Sequence, residues 1–207
     1  MTCHVGRKGN VSALPVFMGE TEMRVIAGKA RRLRLVTLDG PDVRPTTDKI
    51  KETLFNMLNI HIPGARFLDI FAGSGGIGIE ALSRGAKECV FIERDRRCHA
   101  IILGHLQHCH MEEDAELLKI DFMAGLRELD RRGEPFDIIF MDPPYQHDLE
   151  QKALEFLDGS SLIGPDTIVV AEASISTVID DSAFSRLQVD REKIYKSNKH
   201  VFLSMRE

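Results

Sequence analysis

The stretch Arg66–Gly78, which reads RFLDIFAGSGGIG, decides the fold class of this chain. It begins as a short apolar run that carries one acid, Asp69, and then breaks into a turn with four glycines. A helical pattern of apolar residues follows through Ile79 and Leu82. A strand, a glycine-rich turn and a helix start are typical of the cofactor site of an open α/β sheet, because the glycines let the backbone approach a ligand and the helix start offers unpaired N–H groups.

Strand and helix patterns alternate along the chain on both sides of this turn. The patterns predict strands at 67–70, 88–93, 116–120, 136–141, 167–171, 187–195 and 200–205, and helices at 48–58, 76–84, 96–109, 123–132 and 149–157. Strands that alternate with helices indicate parallel βαβ units. The predicted fold class is therefore α/β: a doubly wound, mostly parallel seven-stranded sheet with a C-terminal antiparallel hairpin, plus a small N-terminal β-hairpin.

Composition and length favour one globular domain with short extensions. The chain has 207 residues and a net charge of −5, and it contains no apolar run long enough to cross a membrane. Its four cysteines lack the spacing of a disulfide framework, which predicts a cytoplasmic location. We expect a disordered leader at 1–22, with Met23 as an alternative start, then a basic N-terminal hairpin at 23–45 and a catalytic domain at 46–207.

The basic hairpin differs in charge from the acidic body of the chain. The segment RVIAGKARRLR contains five basic residues and no acid. These residues are Arg24, Lys29, Arg31, Arg32 and Arg34, and Arg44 follows shortly afterwards. A basic edge on an acidic body predicts a polyanionic partner at one end of the molecule. The alternative is a solvated arm with no partner.

The glycine turn alone leaves the cofactor open. Gly73, Gly75 and Gly78 satisfy the G-x-G-x-x-G pattern, and Glu93 lies twenty residues beyond Gly73. A nicotinamide-dependent dehydrogenase would show the same two features.

Acids near the strand ends favour a different cofactor. Asp69 lies inside the strand, where an ionised group is costly unless it meets a partner, and a pyrophosphate would be repelled there. Glu93 can accept two ribose hydroxyls, and Asp121 can meet an adenine amine. A ligand with an ammonium, a diol and an adenine but no phosphate suits these acids, which indicates S-adenosylmethionine. The alternative is that the acids are solvated carboxylates.

The sequence Asp142-Pro143-Pro144-Tyr145 follows the strand predicted at 136–141 and carries the candidate chemistry. Two prolines stiffen the chain and remove two backbone donors, so that nearby carbonyls become fixed acceptors. A carboxylate and a carbonyl together can hold both hydrogens of a planar amine, as amine methylation requires. Tyr145 offers a ring on which a base can stack. A purely structural Pro-Pro turn is the alternative.

The cysteines bear on two further possibilities. Methylation at pyrimidine carbon 5 needs a cysteine nucleophile near the sheet edge, and no cysteine of this chain is predicted there. His105, His108 and Cys109 have the spacing of a metal site on one helix face. Yet Cys98, His105 and Cys109 share a stripe that is expected to pack on the sheet, so we predict no metal.

Four segments together make the chain resemble the RsmD-type family of 16S ribosomal RNA guanine-N2 methyltransferases, which have the class I S-adenosylmethionine-dependent fold. The segments are MRVIAGKARRLRL, RPTTDKIKETLFNML, FLDIFAGSGGIGIEALSRGA and DPPY. The chain departs from the family pattern in the leader 1–22 and at His105, where an asparagine is expected.

The resemblance implies methyl transfer from S-adenosylmethionine to the N2 amine of a guanine in 16S ribosomal RNA, at position 966, by a cytoplasmic monomer that acts on the RNA or on the assembling small subunit. It assigns catalysis to Asp142, Pro143, Pro144 and Tyr145. It assigns cofactor contacts to Thr46, Asp69, Phe71, Ala72, Gly73, Gly75, Glu93, Arg94, Asp121, Phe122 and Asp142. The basic hairpin, with Arg24, Lys29, Arg31, Arg32, Arg34 and Arg44, would bind the RNA.

Four other functions stay open from the sequence. The same loop serves DNA adenine and protein glutamine methyltransferases, although the short basic hairpin and the lack of a separate recognition domain disfavour sequence-specific DNA reading. A nicotinamide oxidoreductase would use the glycine turn. A non-catalytic RNA-binding module would bind the cofactor without turnover.

Overall fold

The computed structural model describes residues 23–36, 48–144 and 148–206. The leader 1–22 lies outside the described residues, as do three of the predicted site residues, Arg44, Thr46 and Tyr145. Within the described part of the chain, no helix is long and apolar enough to cross a membrane.

The elements follow the predicted alternation of strands and helices. The strands are β1 Met23–Arg24, β2 Arg34–Leu35, β3 Arg66–Ile70, β4 Glu88–Ile92, β5 Ala115–Leu118, β6 Phe136–Met141, β7 Ile163–Ser174, β8 Leu187–Ile194 and β9 Asn198–Met205. The α-helices are α1 Asp48–Met57, α2 Gly76–Ser83, α3 Arg96–Cys109, α4 Phe122–Asp130 and α5 Leu149–Asp158.

The seven strands β3–β9 form one sheet in the order β5-β4-β3-β6-β7-β9-β8. The first five of these strands are parallel, and β9 runs antiparallel to both β7 and β8. A separate antiparallel pair, β1 and β2, forms the small N-terminal hairpin. The predicted doubly wound sheet with a C-terminal antiparallel hairpin is confirmed.

Strand β7 is longer than the sequence predicted. It begins at Ile163 rather than Thr167, because Ile163 pairs with Phe136 ahead of a register shift in β6. The early part of β7 contains Gly164 and Pro165, which are loop signals, so the pattern alone placed the start of the strand too late.

Each face of the sheet packs against helices and buries its own core. One core contains Phe67, Phe91, Phe140 and apolar residues of α1, α2 and α3. The other contains Ile139, Val169 and apolar residues of α4 and α5. Helices on both faces leave the carboxyl ends of the parallel strands as the open edge, where ligands bind in such sheets.

Pairing between β3 and β6 sets the geometry of that edge. Ile70, the last residue of β3, pairs with Met141, the last residue of β6. The glycine turn and the segment that begins at Asp142 therefore leave the sheet side by side.

Candidate active site at the carboxyl edge of the sheet

The glycine turn contains three residues in the left-handed region of backbone conformation. Gly73 has φ 54° and Gly75 has φ 80°, while Phe71, which carries a side chain, has φ 65°. Such a conformation costs about 1–2 kcal/mol in a residue other than glycine, and strain of this kind clusters at functional sites.

The glycines of this turn have different roles. A Cβ added at Gly73 would meet no atom within 4 Å, so this part of the turn borders open space. A Cβ added at Gly78 would lie 2.3 Å from the Phe91 ring. Gly73 therefore leaves room for a ligand, whereas Gly78 lets helix α2 pack closely on the sheet.

Asp69 is a buried acid with one described hydrogen bond. Its side chain accepts from the Gly78 N–H at 2.9 Å, and the residue is 2% exposed. Burial, and then the negative charge of Glu93, raise the pKa of Asp69 to about 7, although the Gly78 N–H opposes this rise. A cationic group nearby would favour the ionised form.

Glu93 follows β4 directly and its side chain binds the backbone of the glycine turn. Its two carboxylate oxygens accept the N–H groups of Gly73 and Asp95, each at 2.7 Å. Ala72 is buried, and its N–H donates to the Ile92 carbonyl at 3.0 Å. The predicted cofactor residues Ala72, Gly73 and Glu93 thus belong to one hydrogen-bonded loop system.

Two aromatic rings lie at this edge. Phe71 and Phe122 are partly buried, and their ring centroids are 4.7 Å apart. Asp121 is exposed and caps α4 by accepting the Met123 N–H at 3.0 Å. Arg94 is exposed beyond Glu93. The structure therefore brings these predicted residues to the edge that carries the glycine turn.

Asp142 lies beside the same turn and is partly exposed. Burial raises the pKa of its carboxyl well above the usual range, and the negative charges of Glu172 and Asp69 add to the rise. Pro143 is buried and Pro144 is exposed. A raised pKa makes Asp142 a better proton acceptor than an ordinary aspartate.

The basic hairpin is anchored on α2 through an acid that sequence reasoning missed. Glu80 is buried and accepts the N–H groups of Ile26 at 2.8 Å and Ala27 at 3.0 Å. Arg84 donates to it at 2.7 Å, and the buried Lys51 lies 3.4 Å away. The sequence does contain one indication that Glu80 has a buried partner, since it is the single charged residue of the mostly apolar helix GIGIEALS.

Ser83 provides a second anchor one turn later on α2. Its hydroxyl accepts the Ala30 N–H at 3.0 Å and donates to the Ala27 carbonyl at 2.6 Å. Gly28 lies so close that an added Cβ would be 1.8 Å from the Ser83 carbonyl oxygen. The hairpin therefore packs directly on the helix that begins at the glycine turn.

The arginines of the hairpin border a cleft of about 340 Å³ that is lined by Arg24, Arg32, Arg34 and Asp48. Arg24 pairs with Asp48 at 2.7 Å, and Lys29 pairs with Asp114 at 3.0 Å. Arg31 is exposed. Three of the predicted RNA-binding residues, Arg24, Arg32 and Arg34, thus line one cleft, and Lys29 and Arg31 belong to the same hairpin.

His105 links the hairpin to the glycine turn. The Val36 N–H donates to its Nε2 at 2.8 Å, so its Nδ1–H donates to the Ser74 carbonyl at 3.0 Å. This arrangement requires a neutral ring, and burial lowers the pKa of His105 to about 4. The family pattern expects an asparagine at this position. The side-chain amide of an asparagine also carries one donor and one acceptor group, so it offers the same two kinds of hydrogen bond.

The remaining Cys and His residues of α3 behave as core or surface residues. Cys98 and Cys109 are buried, as the helical stripe predicted, and His108 is exposed. Within the described ranges, no three His, Cys, Asp or Glu side chains lie close enough together to hold a metal ion.

Comparisons with known proteins extend over most of the chain. The family described as Conserved hypothetical protein 95 matches residues 23–204. The Ribosomal RNA small subunit methyltransferase D of Escherichia coli (strain K12) is 34% identical over 161 residues, which cover 78% of this chain and 79% of that protein. A solved structure from Escherichia coli, described as a candidate methyltransferase, is similar with a TM-score of 0.76 and 29% identity, covering 89% of this chain and 98% of that one.

A more distant structure shares the fold. The O-methyltransferase from Bacillus cereus, solved in complex with SAH, has a TM-score of 0.64 at 15% identity, covering 78% of this chain and 83% of that one. These similarities confirm the predicted class I methyltransferase fold.

We predict that His105 makes stability depend on pH. Because its pKa is lowered from 6.5 to about 4 on folding, its contribution is complete above pH 6.5 and is lost as the pH falls toward 4. The free energy of unfolding should therefore fall by about 2–3 kcal/mol more between pH 7 and pH 4 in the wild type than in His105→Asn. Urea unfolding at several pH values measures this difference.

The matched control is His108→Asn, because His108 is an exposed imidazole on the same helix. This variant should keep the pH dependence of the wild type. Equal slopes for His105→Asn and the wild type would contradict the role given to His105.

Proposed function

The chain belongs to the Conserved hypothetical protein 95 family, and on that premise we propose that it is an S-adenosylmethionine-dependent methyltransferase that modifies the exocyclic N2 amine of a guanine in small-subunit ribosomal RNA. The small-subunit ribosomal RNA activity named for its Escherichia coli relative supports the substrate class. The amine as acceptor is supported by the chemistry of the Asp142 segment.

The observation that carries the proposal is the register between β3 and β6. In this register Asp142 lies next to the glycine turn and the buried Asp69. Both lie at the carboxyl edge of the sheet, where ligands of open sheets bind. The candidate cofactor turn and the segment proposed to bind the amine therefore lie side by side.

The described residues fit S-adenosylmethionine. Asp69 is a buried carboxyl that a cation would help to ionise. Gly73 borders open space, and the carboxylate of Glu93 lies at the same turn. A pyrophosphate would meet several negative charges here, which disfavours the nicotinamide alternative.

The chain's own groups would hold and orient the reacting amine. When bound, S-adenosylmethionine supplies an electrophilic methyl group, so that a nitrogen–carbon bond forms, the carbon–sulfur bond breaks and the amine loses one proton. Asp142 would accept a hydrogen bond from the amine and then take that proton. A carbonyl held by Pro143 and Pro144 would accept the second hydrogen, which favours a pyramidal nitrogen aimed at the methyl group.

The basic hairpin would hold the RNA beside this site. Its cleft is lined by three arginines, and planar guanidinium groups suit phosphate oxygens. Glu80 and Ser83 fix the hairpin to α2, so the RNA contacts would keep a defined position relative to the glycine turn.

The direct test is transfer of a labelled methyl group to 16S ribosomal RNA and to small-subunit particles, followed by mass analysis of the nucleosides. We expect N2-methylguanosine from the wild type and a loss of about 100-fold or more in Asp142→Ala, because the acceptor of the amine hydrogens is removed. Calorimetry should show that Asp142→Ala keeps most of its affinity for S-adenosylmethionine.

The matched control is Asp166→Ala, which removes an exposed aspartate from an early position of β7. It should retain full activity. Methylated adenine in DNA or methylated glutamine in protein would favour the alternative acceptors. RNA binding without any transfer would indicate a non-catalytic module, and unchanged transfer by Asp142→Ala would refute the role of that residue.

We predict that RNA affinity depends on the hairpin arginines. Replacing Arg31, Arg32 and Arg34 together by Ala should weaken RNA binding and reduce the slope of log affinity against log salt by up to about three, because each phosphate contact releases counterions. Filter binding over a salt series measures both quantities. Replacing Arg127 of α4 and Arg131 directly after that helix is the control, and an equal loss of RNA affinity in both variants would show that the hairpin has no special role.

A further inference from the structure

An acid on strand β7 lies next to Asp142 and has no role in the proposed function so far. Met141 pairs with Ala171, so that Asp142 and Glu172 are the next residues on neighbouring parallel strands. Glu172 in turn pairs with His200 on β9. Glu172 is 4% exposed and His200 is 0% exposed, so both side chains lie beneath the surface of the site.

Hydrogen bonds hold Glu172 in place. One oxygen, Oε1, accepts from the Asn198 Nδ2 group, and Oε2 lies 3.1 Å from His200 Nε2. The His200 ring packs edge-on against Phe140, with centroids 6.1 Å apart, and Phe140 precedes Asp142 by two residues. The hydrogen-bonded group of Glu172, Asn198 and His200 therefore lies on the same face of the sheet as Asp142.

The network continues from His200 to Tyr195. The Tyr195 hydroxyl is 3.1 Å from His200 Nδ1. Since His200 Nε2–H donates to Glu172, a neutral ring accepts from the Tyr195 O–H at Nδ1. Burial, and then the charge of Glu172, raise the pKa of Tyr195 to about 12, so its hydroxyl keeps the proton that it donates. Two donors are therefore directed at the carboxylate of Glu172.

We propose that Glu172, held by Asn198 and His200, is a positioning residue that acts through Asp142: its fixed negative charge strengthens Asp142 as the acceptor of the amine hydrogen and proton. The inference rests on the proposed function, because it assigns that proton to Asp142. Glu172 itself need not touch the substrate.

The groups that act on Asp142 come from both neighbouring strands. Asp69 on β3 and Glu172 on β7 each place negative charge beside it, while His200 on β9 and Tyr195 lie behind Glu172. A cationic cofactor would offset the charge of Asp69. The charge of Glu172 stays in place because its partners are protein side chains. Glu172 therefore sets the basicity of Asp142 during the reaction.

The variant Glu172→Gln isolates this charge. A glutamine oxygen can still accept from Asn198, and the glutamine amide can donate to His200 once that ring takes its other tautomer and donates to Tyr195. The matched control is Glu192→Gln. Glu192 lies on β8, on the far side of β9 from Glu172, and its side chain is 38% exposed and pairs with Lys199 at 2.6 Å.

Two measurements test the proposal. The first is the pH profile of kcat for methyl transfer to RNA. In Glu172→Gln the acid limb should move down by about one pH unit and the plateau should fall several-fold, with KM for S-adenosylmethionine unchanged. Glu192→Gln should follow the wild type. An acid limb and a plateau in Glu172→Gln equal to those of the wild type would overturn the proposal.

The second measurement does not require activity. The carbon-13 signal of the Asp142 carboxyl, assigned with Asp142→Asn, is titrated in the complex with S-adenosylhomocysteine. We expect the Asp142 carboxyl to titrate above the ordinary aspartate range in the wild type. In Glu172→Gln it should titrate at a lower pH than in the wild type. Titration in the ordinary range in the wild type would overturn the proposal even if Glu172→Gln failed to fold. A protein that shows the raised titration but methylates no RNA would refute the proposed function instead.

Discussion

The hydrogen bond from the Gly78 N–H to the buried carboxyl of Asp69 joins the end of β3 to the first turn of α2, and the shape of the glycine turn depends on it. Burying a carboxylate costs several kcal/mol unless partners replace the lost water. One N–H does not suffice, because the pKa of Asp69 rises to about 7. The fold therefore keeps a buried acid, Asp69, that a bound cation would ionise. The pairing of β3 with β6 places Asp142 beside the same turn.

The helix that begins at this turn also holds the basic hairpin. Glu80 and Ser83 on α2 bind the backbone of the hairpin, and His105 on α3 joins its end at Val36 to the turn carbonyl of Ser74. A single hydrogen-bonded unit thus connects the candidate RNA surface with the candidate cofactor turn. Buried partners of this kind are more expensive to separate than surface ion pairs, so the two regions should keep one relative arrangement.

The sequence predicted the parts of this protein that depend on local patterns. The spacing of apolar residues and the turn-forming residues predicted the strands, the glycine turn and the segment at Asp142, because each depends on only a few neighbouring residues. The pairing of Glu80 with the hairpin and of Glu172 with His200 joins residues that are 28 or more positions apart. Such contacts depend on strand order and register, which the periodicity of a single chain does not specify.

We infer that the carboxyl edge of the sheet holds a cationic cofactor against Asp69. Calorimetry with S-adenosylmethionine at pH 7, in two buffers of different ionisation enthalpy, tests it most directly. Because cation binding should lower the raised pKa of Asp69, we expect binding with release of a fraction of a proton, and no such release from Asp69→Asn. Binding of NADH without binding of S-adenosylmethionine would show that this edge does not hold a cationic cofactor.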